Sequence, residues 1–381
     1  MSVIELENSS AVIRGSVESI RRIDVHGGRI SAFGDALSSR PTESLFTGRD
    51  LMVLPGFVDV HNHGAVGFDV NEADTAGLIK IAEFLARSGV TSWMPTLVPD
   101  SDPNYARAIS AIDELMQQQT ALPIAQAVGV HYEGIFASEK MCGALRPEYF
   151  KRFTGSEVSK LPRLKGGVHM MTLAPEIEGG IELVKELVRQ GWVVSIGHTR
   201  ADPATLDRAL KSGARHMTHF FNAMTGVHHR DIGAAGWGLV RDGVTFDIIA
   251  DGIHVRPEML KMACNAKGTA NVSLISDSVA PTGLGDGDFE LWGEGIKVTE
   301  GRTRNERGSI AGSVCTMLDC VRMMRSLGFS EAETAKMAAE NPAKVLGSEE
   351  RGVIDVGKRA DLVGLDSEGG IAFTMIGGII V

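Results

Sequence analysis

Two histidines one residue apart, His61 and His63, close the apolar run MVLPGFVDV that begins at Met52. On a β-strand, side chains two positions apart share a face, so both imidazoles can meet one cation. Four other apolar runs also end in groups able to bind metal or move protons: Glu133 after VGVHY, His198 after VVSIG, His219 after HMT and Asp277 after SLIS. A single buried histidine is more often a satisfied core residue than a ligand. Six such groups at five strand ends point to one site. Imidazole and carboxylate donors with open positions suit Zn²⁺, Fe²⁺, Mn²⁺ or Co²⁺, one or two ions per chain, with zinc the leading candidate. A bound cation brings the pKa of water down to about 7, and a nearby carboxylate can take up and return a proton. Asp277 is the candidate for that shuttle, and the chemistry is hydrolysis. Of the other histidines, His131 shares a face with Glu133 but reads as core or as backing for the site. His169 and His216 fall early or midway in their runs and His26 lies near the N-terminus, so none of these four is assigned to the site.

These groups need a scaffold that gathers strand ends. From about residue 50 to 345, short apolar runs alternate with segments of helical periodicity, the pattern of repeated βα units. The runs are LMVLPGFVDV, TSWMPTLV, AQAVGVHYEG, GGVHMMTLAPE, WVVSIGH, ARHMTHFF, TFDIIAD and ANVSLISDS. Between them, Thr75 to Arg87, Ile181 to Gln190 and Pro203 to Lys211 repeat apolar residues at three and four. Eight such units predict a closed (β/α)₈ barrel over residues 54–346, whose active site would lie at the carboxyl ends of the strands. Residues 1–53 and 347–381 read instead as short strands between Gly, Asp and Ser turns. Because chain termini often lie close together, both ends are expected to form one small β-sandwich beside the barrel.

The 381 residues are 43% hydrophobic and 23% charged, enough for a large core. A formal net charge of -10 argues against a nucleic-acid or anionic-membrane surface, and an anionic small ligand would need a local basic pocket. The first residues (MSVIELENSSAVIRG) lack a basic segment followed by an apolar run, and no stretch of about 18 apolar residues occurs. The expected setting is soluble and cytoplasmic. The four cysteines, Cys142, Cys264, Cys315 and Cys320, form no CxxC pair, as expected of a reducing compartment.

The ordered segments PGFVDVHNHG, HYEG, GHT, THFFNAM, DGIHV and SDS, followed by NPAKVLG and GVIDVGKRADLVGL, resemble the N-acetylglucosamine-6-phosphate deacetylase family of the amidohydrolase superfamily. The resemblance runs from Leu54 to about Leu346 and on into the C-terminal strands. It implies that Glu133, His198 and His219 hold the principal metal and that His61 and His63 hold a second, a position some members lack. Asp277 matches the catalytic aspartate, which activates water and then protonates the departing amine. Asn222 and Ala223 match positions that hold sugar and phosphate, and His254 matches a substrate-contacting histidine. Arg230 matches a phosphate-binding arginine that reaches a neighbouring subunit's site, so the resemblance implies a homodimer. Paired guanidinium hydrogen bonds suit a phosphate, and His228 and His229 stand beside it.

The chain departs from the family pattern at four places. HYEGIF and CGALRP put Ile135 where proline is usual and Leu145 where a histidine is expected near the acyl carbonyl. Leucine donates no hydrogen bond, so either the metals alone polarise the carbonyl or the substrate differs. RDIG, residues 230–233, lacks the usual proline before its glycine, and Ser276-Asp277-Ser278 is a small variation. The expected reaction is hydrolysis of the acetamide of N-acetyl-D-glucosamine 6-phosphate to acetate and the free amino sugar phosphate. The alternatives are a deacylase of another N-acyl amino sugar, such as the galactosamine epimer, or of an N-acyl amino acid, a deaminase of a heterocycle, and a sugar-phosphate sensor without turnover.

Overall fold

The computed structural model describes residues 2–34 and 43–381; residue 1 and residues 35–42, within the segment assigned to the terminal β region, lie outside the described residues. Each of the eight apolar runs forms a strand: Phe57–Asn62, Val90–Leu97, Gly129–Phe136, Val168–Leu173, Val193–Ile196, His216–Met217, Thr245–Ile249 and Val272–Ile275. They pair in parallel and in chain order from the first to the eighth, with a two-residue strand, Gln126–Ala127, added beside the second. The first three are buried along their whole length, the continuous apolar reading expected of a sheet covered on both faces.

Helices pack between the strands and start where the sequence supplies caps. Asp74 accepts from Gly77 N at 2.9 Å ahead of Thr75–Arg87, and Asp202 from Thr205 N at 2.7 Å ahead of Pro203–Lys211. These two helices have the bounds read from periodicity. The third runs Gly180–Arg189, one residue earlier than expected. Thr316 and Asp319 form a capping box before Met317–Ser326. Among the described residues no helix is long and apolar enough to cross a membrane.

The barrel is nearly closed. No ladder joins the first strand to the eighth; side chains and two backbone bonds sew the seam instead. His63 N donates to Ser278 O at 2.8 Å and Asp277 N to His61 O at 3.0 Å. Asp59, fully buried in the first strand, accepts from Ser276 Oγ at 2.5 Å and from Asn62 Nδ2 at 3.1 Å, and Asn62 Nδ2 also donates to Ser278 Oγ at 2.7 Å. This network fixes the strand ends that carry His61, His63 and Asp277.

Strands from both termini form a separate, mostly antiparallel sheet of eight. Leu362–Leu365 pairs with Met52–Pro55, which joins Ser2–Ile13, and Ser16–His26 flanks the other side. The sequence suggested a sandwich here; hydrogen bonding joins the strands into a single sheet, which carries its own apolar cluster including Ile4, Ile23, Val53, Leu362 and Phe373. A second feature was not anticipated. After the eighth strand, Gly287–Leu291, Glu294–Thr299 and Arg302–Asn305 form a three-stranded antiparallel sheet.

Candidate metal centre

Glu133 ends up at the centre of four imidazoles because parallel neighbours deliver their carboxyl ends to one rim. Its Oε1 lies 2.9 Å from His198 Nε2 and 2.9 Å from His219 Nε2. Its Oε2 lies 3.1 Å from His63 Nε2 and 3.5 Å from His61 Nε2. Asp277 Oδ1 stands across the rim, 3.4 Å from His61 Nε2 and 3.3 Å from His63 Nε2. All six side chains are buried. Two trios meet the spacing needed for a shared ion, His61-His63-Glu133 and Glu133-His198-His219, with Glu133 common to both.

The histidine tautomers suit a cation. His198 Nδ1 donates to Met141 O at 2.8 Å and His63 Nδ1 to Thr96 O at 3.1 Å. Carbonyls only accept, so each proton sits on Nδ1 and the Nε2 lone pair faces the cluster. The Nε2 atoms of His61 and His63 approach to 3.0 Å, as do those of His198 and His219, close enough for one N–H···N bond within each pair or for a shared cation. Burial lowers the His63 pKa, but Asp277 and Glu133 outweigh it and raise the group to about 10; Glu133 likewise raises His219 to about 9. Burial pushes the Glu133 carboxyl up, yet the surrounding imidazoles hold it well below the usual carboxylate range. The Asp277 carboxyl is held low against its own burial by His61 and His63. A divalent cation could replace these protons on the same donor set, so the residues fit the group that the sequence implied.

Backbone strain marks the same rim. His198, His219 and Asp277 have φ of 47°, 33° and 49°, the left-handed region that non-glycine residues enter at a cost. Each stands two residues past the end of its strand, where the turn brings its side chain to the common rim. Gly134, after Glu133, has φ of +73°, and a Cβ there would meet Leu145 Cδ1 at 2.2 Å. Glycine is therefore required where Leu145 packs against the ligand strand.

A cavity of about 300 Å³ opens onto the centre. Asn222, Ala223 and His254 line it together with Leu145 and Trp292. His254 Nδ1 pairs with Asp251 Oδ2 at 2.6 Å, leaving Nε2 for a ligand. Arg230 does not line this cavity. It sits on an exposed loop, where Nη1 contacts His229 Nε2 at 2.6 Å.

Of the histidines left out of the site, His131 is buried behind His61, with ring centroids 4.7 Å apart. Its Nδ1 meets Val60 O at 3.2 Å and its Nε2 Thr172 Oγ1 at 2.7 Å, so neither nitrogen is free to bind metal. His169 bonds Leu164 N and lies away from the cluster. His216 stands behind the ligands: its Nε2 lies 3.0 Å from Asp247 Oδ2, and Asp247 Oδ1 accepts from His219 N. Sequence reasoning passed over Asp247 and Asp59. The signal was present, since each is a lone carboxylate inside an otherwise apolar buried run, TFDII and FVDV. Trp292, on the unanticipated hairpin, was missed for want of any strand-end pattern.

The amidohydrolase family model matches residues 52–381. The chain is 35% identical over 363 residues to the N-acetylglucosamine-6-phosphate deacetylase of Bacillus subtilis strain 168, covering 94% of this chain and 92% of that one. It is 34% identical over 349 residues to the N-acetylgalactosamine-6-phosphate deacetylase of Escherichia coli O157:H7, covering 91% and 92%. A Mycobacterium smegmatis N-acetyl-D-glucosamine-6-phosphate deacetylase variant, solved in complex with N-acetyl-D-glucosamine-6-phosphate, superposes with a TM-score of 0.88 at 27% identity, covering 100% of this chain and 98% of that one.

Proposed function

This chain belongs to the amidohydrolase family, and within it we propose that it removes the acetyl group of N-acetyl-D-glucosamine 6-phosphate, giving acetate and glucosamine 6-phosphate. The observation that carries this reading is one carboxylate, Glu133, within 2.9–3.5 Å of four imidazoles, with Asp277 3.3–3.4 Å from two of them beside a small cavity. Relatives of nearly full-length coverage act on N-acetyl amino sugar 6-phosphates.

Glu133, His198 and His219 would hold one divalent ion, and His61, His63 and the same glutamate a second, with zinc favoured. When bound, such a cation supplies the charge that brings the pKa of water towards about 7 and polarises an amide carbonyl. Asp277 accepts the proton of the attacking water at Oδ1 and returns it to the amide nitrogen as the C–N bond breaks. Its position beside His61 and His63 keeps it ionised and ready to accept. Leu145 gives the carbonyl no hydrogen bond, so in this chain polarisation falls to the metal side alone. Asn222, Ala223 and His254 take the sugar, and the Asp251 contact fixes the His254 tautomer. Arg230, which does not line its own cavity, fits a role at the mouth of a partner's in a homodimer. We assign residues 54–346 to the catalytic barrel, residues 1–53 with 347–381 to a small β-domain, and the enzyme to the cytoplasm.

Acetate release tests the proposal, measured with N-acetylglucosamine 6-phosphate, its galactosamine epimer and unphosphorylated N-acetylglucosamine, each with Zn²⁺, Mn²⁺, Fe²⁺ or Co²⁺. The glucosamine phosphate should give the highest kcat/KM, and removing the phosphate should collapse it. The second reading, the galactosamine epimer as substrate, is favoured by the Escherichia coli O157:H7 relative of comparable identity. A reversed epimer preference would establish it, and no acetate from any of the three would end the deacetylase reading.

A further inference from the structure

The cavity lining is chemically mixed: Asn222 and His254 contribute polar groups, whereas Leu145 and Trp292, members of one apolar cluster, contribute carbon surface. Leu145 and Trp292 are 3% and 8% exposed and belong to one apolar cluster with Val98, Ala137, Val279 and Leu291. The cluster lies beside the barrel's main core, against the ligands: the Trp292 ring meets the His63 ring edge-on, centroids 5.5 Å apart at 79°.

Trp292 holds its place by an unusual turn. Leu291 pairs with Glu294, so Trp292 and Gly293 are the two residues of a tight hairpin turn, with φ of 55° and 79°. Turns with both central residues at positive φ favour Asn-Gly. A large aromatic there is strained, and strained backbone gathers at functional positions. The companion turn of the same sheet, Glu300 and Gly301, has similar φ values but an exposed side chain. In Trp292 the strain is spent on burying the indole in the cavity wall, where Nε1 donates to Asp69 Oδ2 at 3.0 Å. A carboxylate that accepts this bond fixes the ring plane as well as its depth.

We propose that Trp292, with Leu145 of the same apolar cluster, forms the acyl pocket and sets the length of acyl chain the enzyme accepts. The inference rests on the deacylase reading above. An amide whose carbonyl meets the metal side and whose nitrogen lies by Asp277 directs its sugar to the polar groups and its acyl methyl to the carbon surface. Asn222 and His254 satisfy hydroxyls. The carbon surface suits only the methyl, and the indole held by Asp69 stops a longer chain.

The test is a series of N-acetyl, N-propionyl and N-butyryl glucosamine 6-phosphates, assayed for carboxylate release by wild type, Trp292→Ala, Trp292→Phe and Leu145→Ala. Each methylene beyond acetyl should cost the wild type about 10-fold or more in kcat/KM. The butyryl-to-acetyl ratio should rise at least about 10-fold in Trp292→Ala and also in Leu145→Ala, while Trp292→Phe, which keeps a smaller aromatic ring without the Asp69 bond, should fall between wild type and Trp292→Ala. Wild-type acetyl turnover cancels in that ratio. Acetyl turnover with a ratio unmoved in both alanine variants, folded by circular dichroism, would overturn the pocket and leave the deacylase standing. No release of any acyl group by metal-loaded wild type would overturn both. Should Trp292→Ala fail to fold, Leu145→Ala carries the test alone.

Discussion

Glu133→Gln keeps the volume of the side chain and removes only its charge, which makes it the most informative single change in the centre. In the bare protein at pH 7 the carboxylate sits against His63 and His219, both protonated. Taking one partner from a buried ion pair costs about 3–5 kcal/mol, a factor of about 10² to 10⁴ in the folding equilibrium. The loss depends on pH in a defined direction. A histidine raised above its unfolded value of about 6.5 stabilises the fold below that pH and ceases to do so as pH rises through its folded pKa. The gap between wild type and variant should therefore be widest near pH 6–7 and narrow as pH climbs through about 9 and 10, where His219 and His63 release their protons. Metal content supplies a second measure. Both trios lose a ligand in Glu133→Gln, whereas His198→Ala depletes only one, so the glutamine variant should lose both ions and the alanine variant only one. Thermal melts of metal-free protein across this pH range and metal analysis by atomic absorption read the two effects. Full metal content in Glu133→Gln, with turnover within tenfold of wild type, would refute the shared-carboxylate argument.

In the metal-loaded protein Asp277→Asn should leave melting temperature and metal content near wild type while kcat falls by about 10²–10⁴, the usual worth of a positioned acid-base group; near-normal kcat would remove Asp277 from the proton path. Loading metal-free protein at about pH 7.5 should release close to two protons, from His63 and His219. Calorimetry in buffers of different ionisation enthalpy counts them, and an absence of release would mean the imidazoles are already neutral. Asp59→Ala removes the acceptor of the Ser276 hydroxyl and of Ser276 N at the seam, at about 1–3 kcal/mol for each buried group left unsatisfied. Denaturant melts should show that loss, with kcat reduced more than KM because Asp277 shifts relative to His61 and His63; unchanged stability would show the seam to be held elsewhere.

The barrel was readable because its signal is periodic and repeated. Each of the eight apolar runs is buried on both faces, so the sequence has no reason to alternate and reads as strand by length and punctuation. The metal cluster was readable for a related reason: parallel strands end at one rim, so His61, His63, Glu133, His198, His219 and Asp277 needed only their positions at run ends to be placed together. What sequence hid was whatever depends on contacts between distant segments. Asp247 and Asp59 act on His219 and Ser276, 28 and 217 residues away, and no local pattern encodes such pairs. The hairpin carrying Trp292 follows the last βα signal and has a turn, Trp-Gly, outside the usual vocabulary for tight hairpins. Arg230 could be matched to a motif, but its place on an exposed loop outside the cavity is a tertiary fact.

The left-handed backbone at His198, His219 and Asp277 has a bearing on how this enzyme would respond to selection for heat resistance. Each of the three residues sits where glycine would relax the chain, a relief of about 1–2 kcal/mol per site. A library screened on melting temperature alone would drift towards those replacements and shed two imidazoles of the candidate metal centre and the proposed proton carrier together. Robustness and reactivity thus compete at the same three codons, and any thermostable descendant has to be chosen for turnover in every round.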